Sequence, residues 1–379
     1  MSAGIWGPLL PRLIACGMLD GDAALAGRVT VEPRSRSHAV AVIREDHRAV
    51  CVAKHHRATP DPGDPAGTEV AVYRWLASHP GLGGPPRDRS GGAGSGPAVA
   101  PALLDVVGDT LLLEACADDL PLHLALREGA WPPAALLGAL GHLLGRLHAA
   151  ADLPDHLTGG AGGTGGAGGD RGTDVPGTPW VVAVADELLP PSLAGDGRIA
   201  ELAGEVAGDP GLVDCLHALG DRWPGGLAGR PSAAPHAVLV HGDVKFDNVL
   251  VQGAPGPAGA GATPRLRLLD WELAGPGLAA WDLAGIADGL LVPALQVLPT
   301  VQALREREHA APALAAHQAV PGAPGIDAEG LRIATVARLV QSAIQLLAMR
   351  HQQPGREAAV APVLAGARAL AQPRMAAAV

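Results

Sequence analysis

The stretch AVLVHGDVKFDNVLV (237–251), followed by RLRLLDWELAGPGLAAWDLAG (265–285), decides how this chain is read. Two apolar, β-branched runs, 237–240 and 249–251, flank a polar loop, which reads as strand, loop, strand. A third run, 266–269, delivers Asp270 at its end. The loop presents Asp243, Lys245 and Asn248 together, and the neighbouring strand sets a second carboxylate beside them. Asp, Asn and Asp make an all-oxygen donor set suited to Mg²⁺, which keeps several waters and takes its remaining ligands from phosphates. A carboxylate two residues from an ammonium can orient a hydroxyl while the ammonium neutralises a transferring phosphoryl group.

Composition singles out the same residues. Lysine occurs only at Lys54 and Lys245, asparagine only at Asn248, phenylalanine only at Phe246 and tyrosine only at Tyr73, whereas the 379 residues include 52 Gly and 35 Pro. Such a chain substitutes Arg for Lys wherever chemistry permits. The two surviving lysines therefore mark positions that want a compact point charge rather than a fork.

Upstream, VTVEP (29–33), HAVAVIRED (38–46) and AVCVAKHH (49–56) read as short strands, and GTEVAVYRWLASH (67–79) as a helix with Val70, Tyr73 and Leu76 on one side. A Gly/Pro/Ser-rich loop is expected over 81–97, then two strands, PALLDVVGD and TLLLEACAD, ending near Asp118. PLHLALREGAW and PPAALLGALGHLLGRLHAA are helical, as is most of the chain beyond 280 except for turns near 321–325. The Gly-rich run 158–174 contains a GxGxxG match at Gly160, Gly162 and Gly165, but no strand precedes it and no helix opens after it, so it reads as a loop. The segment 253–265 is another loop joining two strands. No P-loop, HExxH or GxSxG sequence occurs.

A hydrophobic share of 48% supports a sizeable core, and a net charge of −10 without basic runs argues against a nucleic-acid partner. Cys16, Cys51, Cys116 and Cys215 lie far apart, which fits reduced thiols rather than a zinc ribbon or a disulfide scaffold. The apolar start is broken by Pro11 and Arg12, and IATVARLVQSAIQLLAM (333–349) carries Arg338, Gln341 and Gln345. Neither reads as a targeting or membrane segment, so a cytoplasmic protein without a membrane partner is expected.

HGDVKFDN is similar to the HGDxxxxN loop of aminoglycoside phosphotransferases and choline kinases, relatives of the protein kinases, and DWELAGPGLAAWDLAG resembles their D-x-E stretch and WDLA helix. The resemblance runs from about residue 29 to 285. It implies an α+β, protein-kinase-like fold with a β-rich N-lobe (1–117) and a helical C-lobe (118–379). It implies Asp243 as the catalytic aspartate with Lys245 beside it, Asn248 and Asp270 as Mg²⁺ ligands, and Asp282 as a buttress of the loop. Lys54 would hold the α/β-phosphates of ATP, with GTP not excluded, and Glu69 would be its helix partner. LLLEACA (111–117), with Glu114 and Cys116, would be the hinge whose backbone meets adenine, and LGRLHAA (144–150) the long C-lobe helix.

Departures accompany the match. The cover loop EPRSRSH (32–38) lacks glycine, leaving Ser35, Arg36 and Ser37 as candidates over the phosphates. The helices beyond 285 match no known acceptor motif. The acceptor stays open between a small hydroxylated molecule, as for aminoglycoside or choline kinases, and Ser/Thr of a peptide in a natural-product pathway with a possible partner protein. A pseudokinase scaffold without turnover is the third reading. His241 reads as a packed loop histidine, Trp271 and Trp281 as packing residues, and His55, His56 and Arg57 as a solvated strand end.

Overall fold

The computed structural model describes residues 6–34, 39–56, 64–79, 81–83, 98–116, 119–129, 131–150, 153, 157, 178–224, 237–252 and 263–372. Strands β1 (Val29–Pro33), β2 (Ala39–Glu45), β3 (Arg48–His55), β4 (Leu103–Val107) and β5 (Thr110–Glu114) form an antiparallel sheet in the order β1-β2-β3-β5-β4. The β2–β3 hairpin turns through Asp46 and His47, both at positive φ, the handedness that matches strand twist. Most of the expected loops over 81–97, 158–174 and 253–265 lie outside the described residues, as do Ser35, Arg36, Ser37 and Arg57.

Alternation along β3 divides its side chains between two faces. Cys51 and Ala53 meet Ile43 and Leu112 under helix α1 (Leu9–Ala15), which contributes Leu9 and Leu13. The apolar start of the chain, read only as lacking a targeting segment, thus covers one face of the sheet, and the short α2 (Gly21–Leu25) follows it. On the other face lies α3 (Pro65–Ser78), where Pro65 opens the helix and the Asp64 carboxylate accepts the Gly67 N–H at 2.8 Å. Its buried face carries Glu69, Val72, Tyr73 and Leu76.

The remainder is mostly helical. In chain order come α4 (Leu122–Glu128), α5 (Pro133–His148), α6 (Pro191–Ala194), α7 (Gly197–Ala207), α8 (Pro210–Arg222), α9 (Ala279–Val297), α10 (Thr300–Arg305), α11 (Ala311–Gln318), α12 (Ala328–Ala348) and α13 (Val360–Ala371). Short strands β6 (Leu120–Pro121), β7 (Val238–Val240), β8 (Val249–Gln252), β9 (Arg265–Leu268) and β10 (Gly275–Gly277) pair as β6-β8-β9 and β10-β7.

Helix α12 packs through Ile333, Val336, Val340 and Ile344 into a core shared with α7, α8, α9 and α13. It is long and apolar enough to cross a membrane by length and composition, yet 72% of its apolar window is buried inside the fold. Helix α9 runs directly beneath the polar loop after β7, and only glycine permits the approach: a Cβ at Gly285 would stand 2.4 Å from the Val244 carbonyl oxygen.

Candidate active site

Strand β7 ends at Val240 and the chain turns through His241, Gly242 and Asp243 before a short 3₁₀ turn at Phe246–Asn248 leads into β8. Gly242 adopts φ +83°, and a Cβ there would lie 2.1 Å from the Leu273 carbonyl oxygen. Both oxygens of Asp282, at the start of α9, receive loop N–H groups, from His241 at 2.7 Å and from Gly242 at 3.0 Å. Burial alone would raise the Asp282 carboxyl, but the His148 hydrogen bond, nearby charge and these N–H groups hold it below the usual range.

His241 is buried and donates through Nε2 to the Leu269 carbonyl at 2.7 Å, while its Nδ1 accepts the Asp243 N–H at 3.3 Å. One neutral tautomer satisfies both bonds, so the ring is packed and structural, as expected. Trp271 and Trp281 are buried as expected, and the His241 and Trp271 rings stand 4.6 Å apart.

Asp243 is 9% exposed. Lys245 Nζ lies 2.9 Å from its Oδ1 and donates to Oδ2 at 3.0 Å. Asn248 donates from its amide nitrogen to the Asp243 carbonyl at 3.1 Å and to Oδ2 at 3.3 Å. The three polar loop residues expected to act together are therefore in mutual contact.

Asp270 follows β9 at φ +68°, a left-handed conformation that a non-glycine residue adopts only when its surroundings impose it. Its carboxylate meets Lys54 Nζ in a short contact, bringing the sheet lysine to the strand-end aspartate 216 positions away. Lys54 also donates to Glu69 Oε2 at 2.7 Å and lies 3.8 Å from Glu272. The same Glu69 oxygen takes His56 Nε2 at 2.7 Å, and the other takes the Trp271 N–H at 3.3 Å. Burial favours neutral forms of Lys54 and Glu69, but opposite charges outweigh it, so the ammonium is held up and the carboxyl down.

His56 corrects the sequence reading. It is 5% exposed and bound to Glu69, not part of a solvated strand end. Strand alternation carries the signal, because positions 54 and 56 share a face. Two further residues escaped that reading. Arg338, on α12, reaches the loop, and Asp288, on α9, accepts the Ser342 hydroxyl at 2.9 Å.

At the end of β5, where the sequence predicts a hinge, Glu114 turns its carboxylate to Arg267 at 3.1 Å, and Arg267 Nη1 also donates to Cys116 Sγ at 3.1 Å. Burial pushes the Cys116 thiol up to about 11 despite the guanidinium. Both side chains are thus engaged with Arg267.

Among the described residues, no group of three or more His, Cys, Asp and Glu side chains forms a ready-made metal cage. The Asp270 carboxylate and the Asn248 amide oxygen fit instead a hard cation that completes its shell with waters and phosphates. Because Asn248 spends its nitrogen on Asp243, its oxygen is the atom left for a cation.

An antiparallel sheet whose lysine reaches a helix glutamate, set over a helical unit with an aspartate-bearing loop and a strand-end aspartate, defines a protein-kinase-like two-lobed phosphotransferase architecture. The chain belongs to the phosphotransferase enzyme family, whose sequence model matches residues 31–296. No curated protein sequence matches it significantly. An ethanolamine kinase from Plasmodium vivax is similar in structure, with 10% identity and a TM-score of 0.57 over 97% of this chain and 87% of that one. A choline kinase from Streptococcus pneumoniae shares 13% identity and a TM-score of 0.50 over 98% and 99% of the two chains. A microcompartment-associated aminopropanol kinase shares 15% identity and a TM-score of 0.51 over 96% of each. At these identities the likeness is one of fold.

Proposed function

We propose that this chain transfers the γ-phosphate of ATP, as its Mg²⁺ complex, to a hydroxyl group of a small molecule. The observation that carries the reading is the convergence of Lys54, Glu69 and Asp270 beside the Asp243–Lys245–Asn248 loop. Lys54, fixed by Glu69, neutralises and positions phosphate oxygens. Asn248 and Asp270 hold Mg²⁺, which when bound supplies charge neutralisation across the phosphates. Asp243, whose Oδ1 stands 2.9 Å from Lys245 Nζ, accepts the acceptor hydroxyl's hydrogen bond and takes its proton as the oxygen bonds to phosphorus and ADP leaves. Lys245 offsets charge on the equatorial oxygens. Most of the rate then comes from positioning and electrostatics.

For the acceptor we favour an amine-bearing alcohol. Asp288 is a buried carboxylate on the helix beneath the loop, and both its oxygens accept from one hydroxyl, that of Ser342. Lys245 and Asp243 lie within its electrostatic reach. A carboxylate there suits an ammonium group, and the three kinases named above carry amino alcohols in their names. The Asp243–Lys245 contact at 2.9 Å, in a D-x-K loop of the kind protein kinases use, supports a second reading, a peptide Ser or Thr as acceptor.

The test is a thermal-shift titration with Mg·ATP and Mg·GTP, followed by phosphate transfer to a panel of amino alcohols, aminoglycosides and Ser/Thr peptides. Saturable stabilisation and transfer that disappears in Asp243→Asn are expected. Nucleotide binding without turnover on any acceptor or on water would favour the scaffold reading instead.

A further inference from the structure

We propose that Arg338, a helix α12 residue 95 positions from the catalytic loop, is a positioning residue for phosphoryl transfer that locks the peptide unit carrying Asp243. The proposal rests on the phosphotransferase reading above.

Arg338 is 2% exposed, the one charged side chain on the buried face of helix α12. A buried guanidinium is costly to desolvate, and a Met or Leu of similar length would fill the space more favourably. What the guanidinium adds is a set of directed contacts, all of them to the loop or to the helix start beneath it. Its Nη2 donates to the Gly242 carbonyl at 2.9 Å and its Nε to the Trp281 carbonyl at 3.4 Å. Its Cζ lies 4.0 Å from the centroid of the Trp281 ring, on which it stacks. Its Nη1 stands 3.6 Å from Asp243 Oδ1.

The Gly242 carbonyl belongs to the peptide unit whose N–H is that of Asp243. That unit is held at both ends, its oxygen by Arg338 and by Trp281 Nε1 at 2.9 Å, its N–H by His241 Nδ1. Asp282 fixes the N–H groups of the two residues before it. Asp282 thus restrains the loop through its donors, and Arg338 through the acceptor next to Asp243. A planar fork that stacks while donating from several nitrogens does this; one ammonium cannot. Arg338 also brings a second cation, beside Lys245, to the Asp243 carboxylate.

The experiment measures Mg·ATP hydrolysis to water, which needs no acceptor, for wild type, Arg338→Met, Arg338→Lys and Asp243→Asn, with KM for ATP and Tm for each. Arg338→Met keeps side-chain bulk and removes every donor. Its kcat should fall about 100-fold, the scale for losing one preorganised donor near the reacting group, while KM for ATP stays within about twofold; Tm should fall as well, because the buried carboxylates of Asp243 and Asp288 lose a cation. Arg338→Lys should recover part of that loss, about tenfold, by restoring the charge without the fork. Wild-type kcat in both variants would overturn the proposal, and so would a fall in kcat matched by an equal loss in ATP affinity. If Arg338→Met does not fold, Arg338→Lys decides: unchanged kcat there overturns it. A wild type without turnover sinks the phosphotransferase reading itself, whereas turnover lost in Asp243→Asn but kept in Arg338→Met sinks only the role of Arg338.

Discussion

Lys54 Nζ and Glu69 Oε2 lie 2.7 Å apart, joining the central strand of the N-terminal sheet to the helix that covers it. Because the Lys54 ammonium is held up and the Glu69 carboxyl down, the pair stays charged across neutral pH. The contribution of Glu69 is present above its unfolded value and is lost as pH falls through the lowered folded one; that of Lys54 is lost only at alkaline pH. Lys54→Met removes the ammonium and leaves Glu69 with His56 and the Trp271 N–H. The loss of one charge-assisted hydrogen bond to phosphate, about 1.5–3 kcal/mol, predicts a drop of about 10- to 100-fold in kcat/KM for ATP. Steady-state kinetics at varied Mg·ATP check this, and an unchanged KM and kcat would remove Lys54 from the nucleotide site.

His56 shares the Glu69 oxygen with Lys54. His56→Leu is expected to weaken ATP binding less than Lys54→Met does, because the ammonium remains. Leaving the fully buried Glu69 with one donor fewer costs about 1–3 kcal/mol of stability. His56→Gln, whose amide can donate to the same oxygen, should restore both. Thermal melts and ATP titrations of the two variants separate a donor role from simple packing.

How far these sites were legible in the sequence follows the range of the interactions. The loop 241–248 reads directly, because its donors and acceptors lie within a few residues of one another and compositional bias exposes Lys245 and Asn248. Strands β1 to β3 and helix α3 were legible from alternation and periodicity, while the covering role of α1 was not. A seven-residue helix carries too little pattern to show which sheet face it meets. Arg338 and Asp288 were hidden for another reason. Each is a buried polar residue on a mostly apolar helix, and its meaning comes only from the helix–loop packing. The cue was present in Arg338 as a lone charge within 333–349, which sequence reasoning used to argue against a membrane span.

Asp288 predicts a trade between stability and acceptor binding. Burial pushes its carboxyl up to about 6, against the opposing pull of Arg338, Ser342 and Lys245. An acid raised in the folded state costs stability above that value, and the cost disappears as pH falls from about 6 to about 4, the unfolded value. The shift corresponds to roughly 3 kcal/mol at alkaline pH. Asp288→Asn should therefore raise Tm at pH 8 and leave it unchanged near pH 4. It should also raise KM for an amine-bearing acceptor while KM for ATP holds. An equal Tm shift at both pH values would show that ionisation of Asp288 is not the cause.

His317 predicts the acid limit. It is fully buried, and its Nε2 lies 2.9 Å from His148 Nδ1, with His148 Nε2 on Asp282 at 3.1 Å. If His148 donates to Asp282, its Nδ1 accepts from His317 Nε2, and the buried His317 Nδ1, which has no hydrogen-bond partner among the described residues, is left without an acceptor for a second proton. Burial, aided by His148, pulls the His317 imidazole down to about 4. Stability from this neutral ring is complete above about 6.5, the unfolded value, and is lost as pH falls from there toward 4. His317→Gln can still donate to His148 but cannot titrate. Melts from pH 7 to 4 should show a shallower acid limb for the variant, with turnover at neutral pH unchanged, and parallel limbs would refute the assignment.

Gly242 tests how closely the loop geometry is tied to turnover. Two effects oppose a side chain there, a left-handed backbone at φ +83° and a Cβ 2.1 Å from the Leu273 backbone oxygen. Gly27 supplies the control, since it has φ +71° with nothing within 4 Å of the added Cβ. Gly27→Ala should lose only the conformational preference, about 1–2 kcal/mol. Gly242→Ala carries the same strain and must also displace either Leu273 or the loop. Moving the loop shifts the peptide held by Arg338 and Trp281 and the Asp243 attached to it. An error of about 1 Å there is enough to lower kcat about 100-fold. Nucleotide affinity should survive, because Lys54 and Glu69 lie on the sheet and α3 rather than on the loop. Kinetics and ATP titrations of both variants give the comparison: if Gly242→Ala turns over as fast as Gly27→Ala, the loop tolerates displacement and its bonding network does not set the rate.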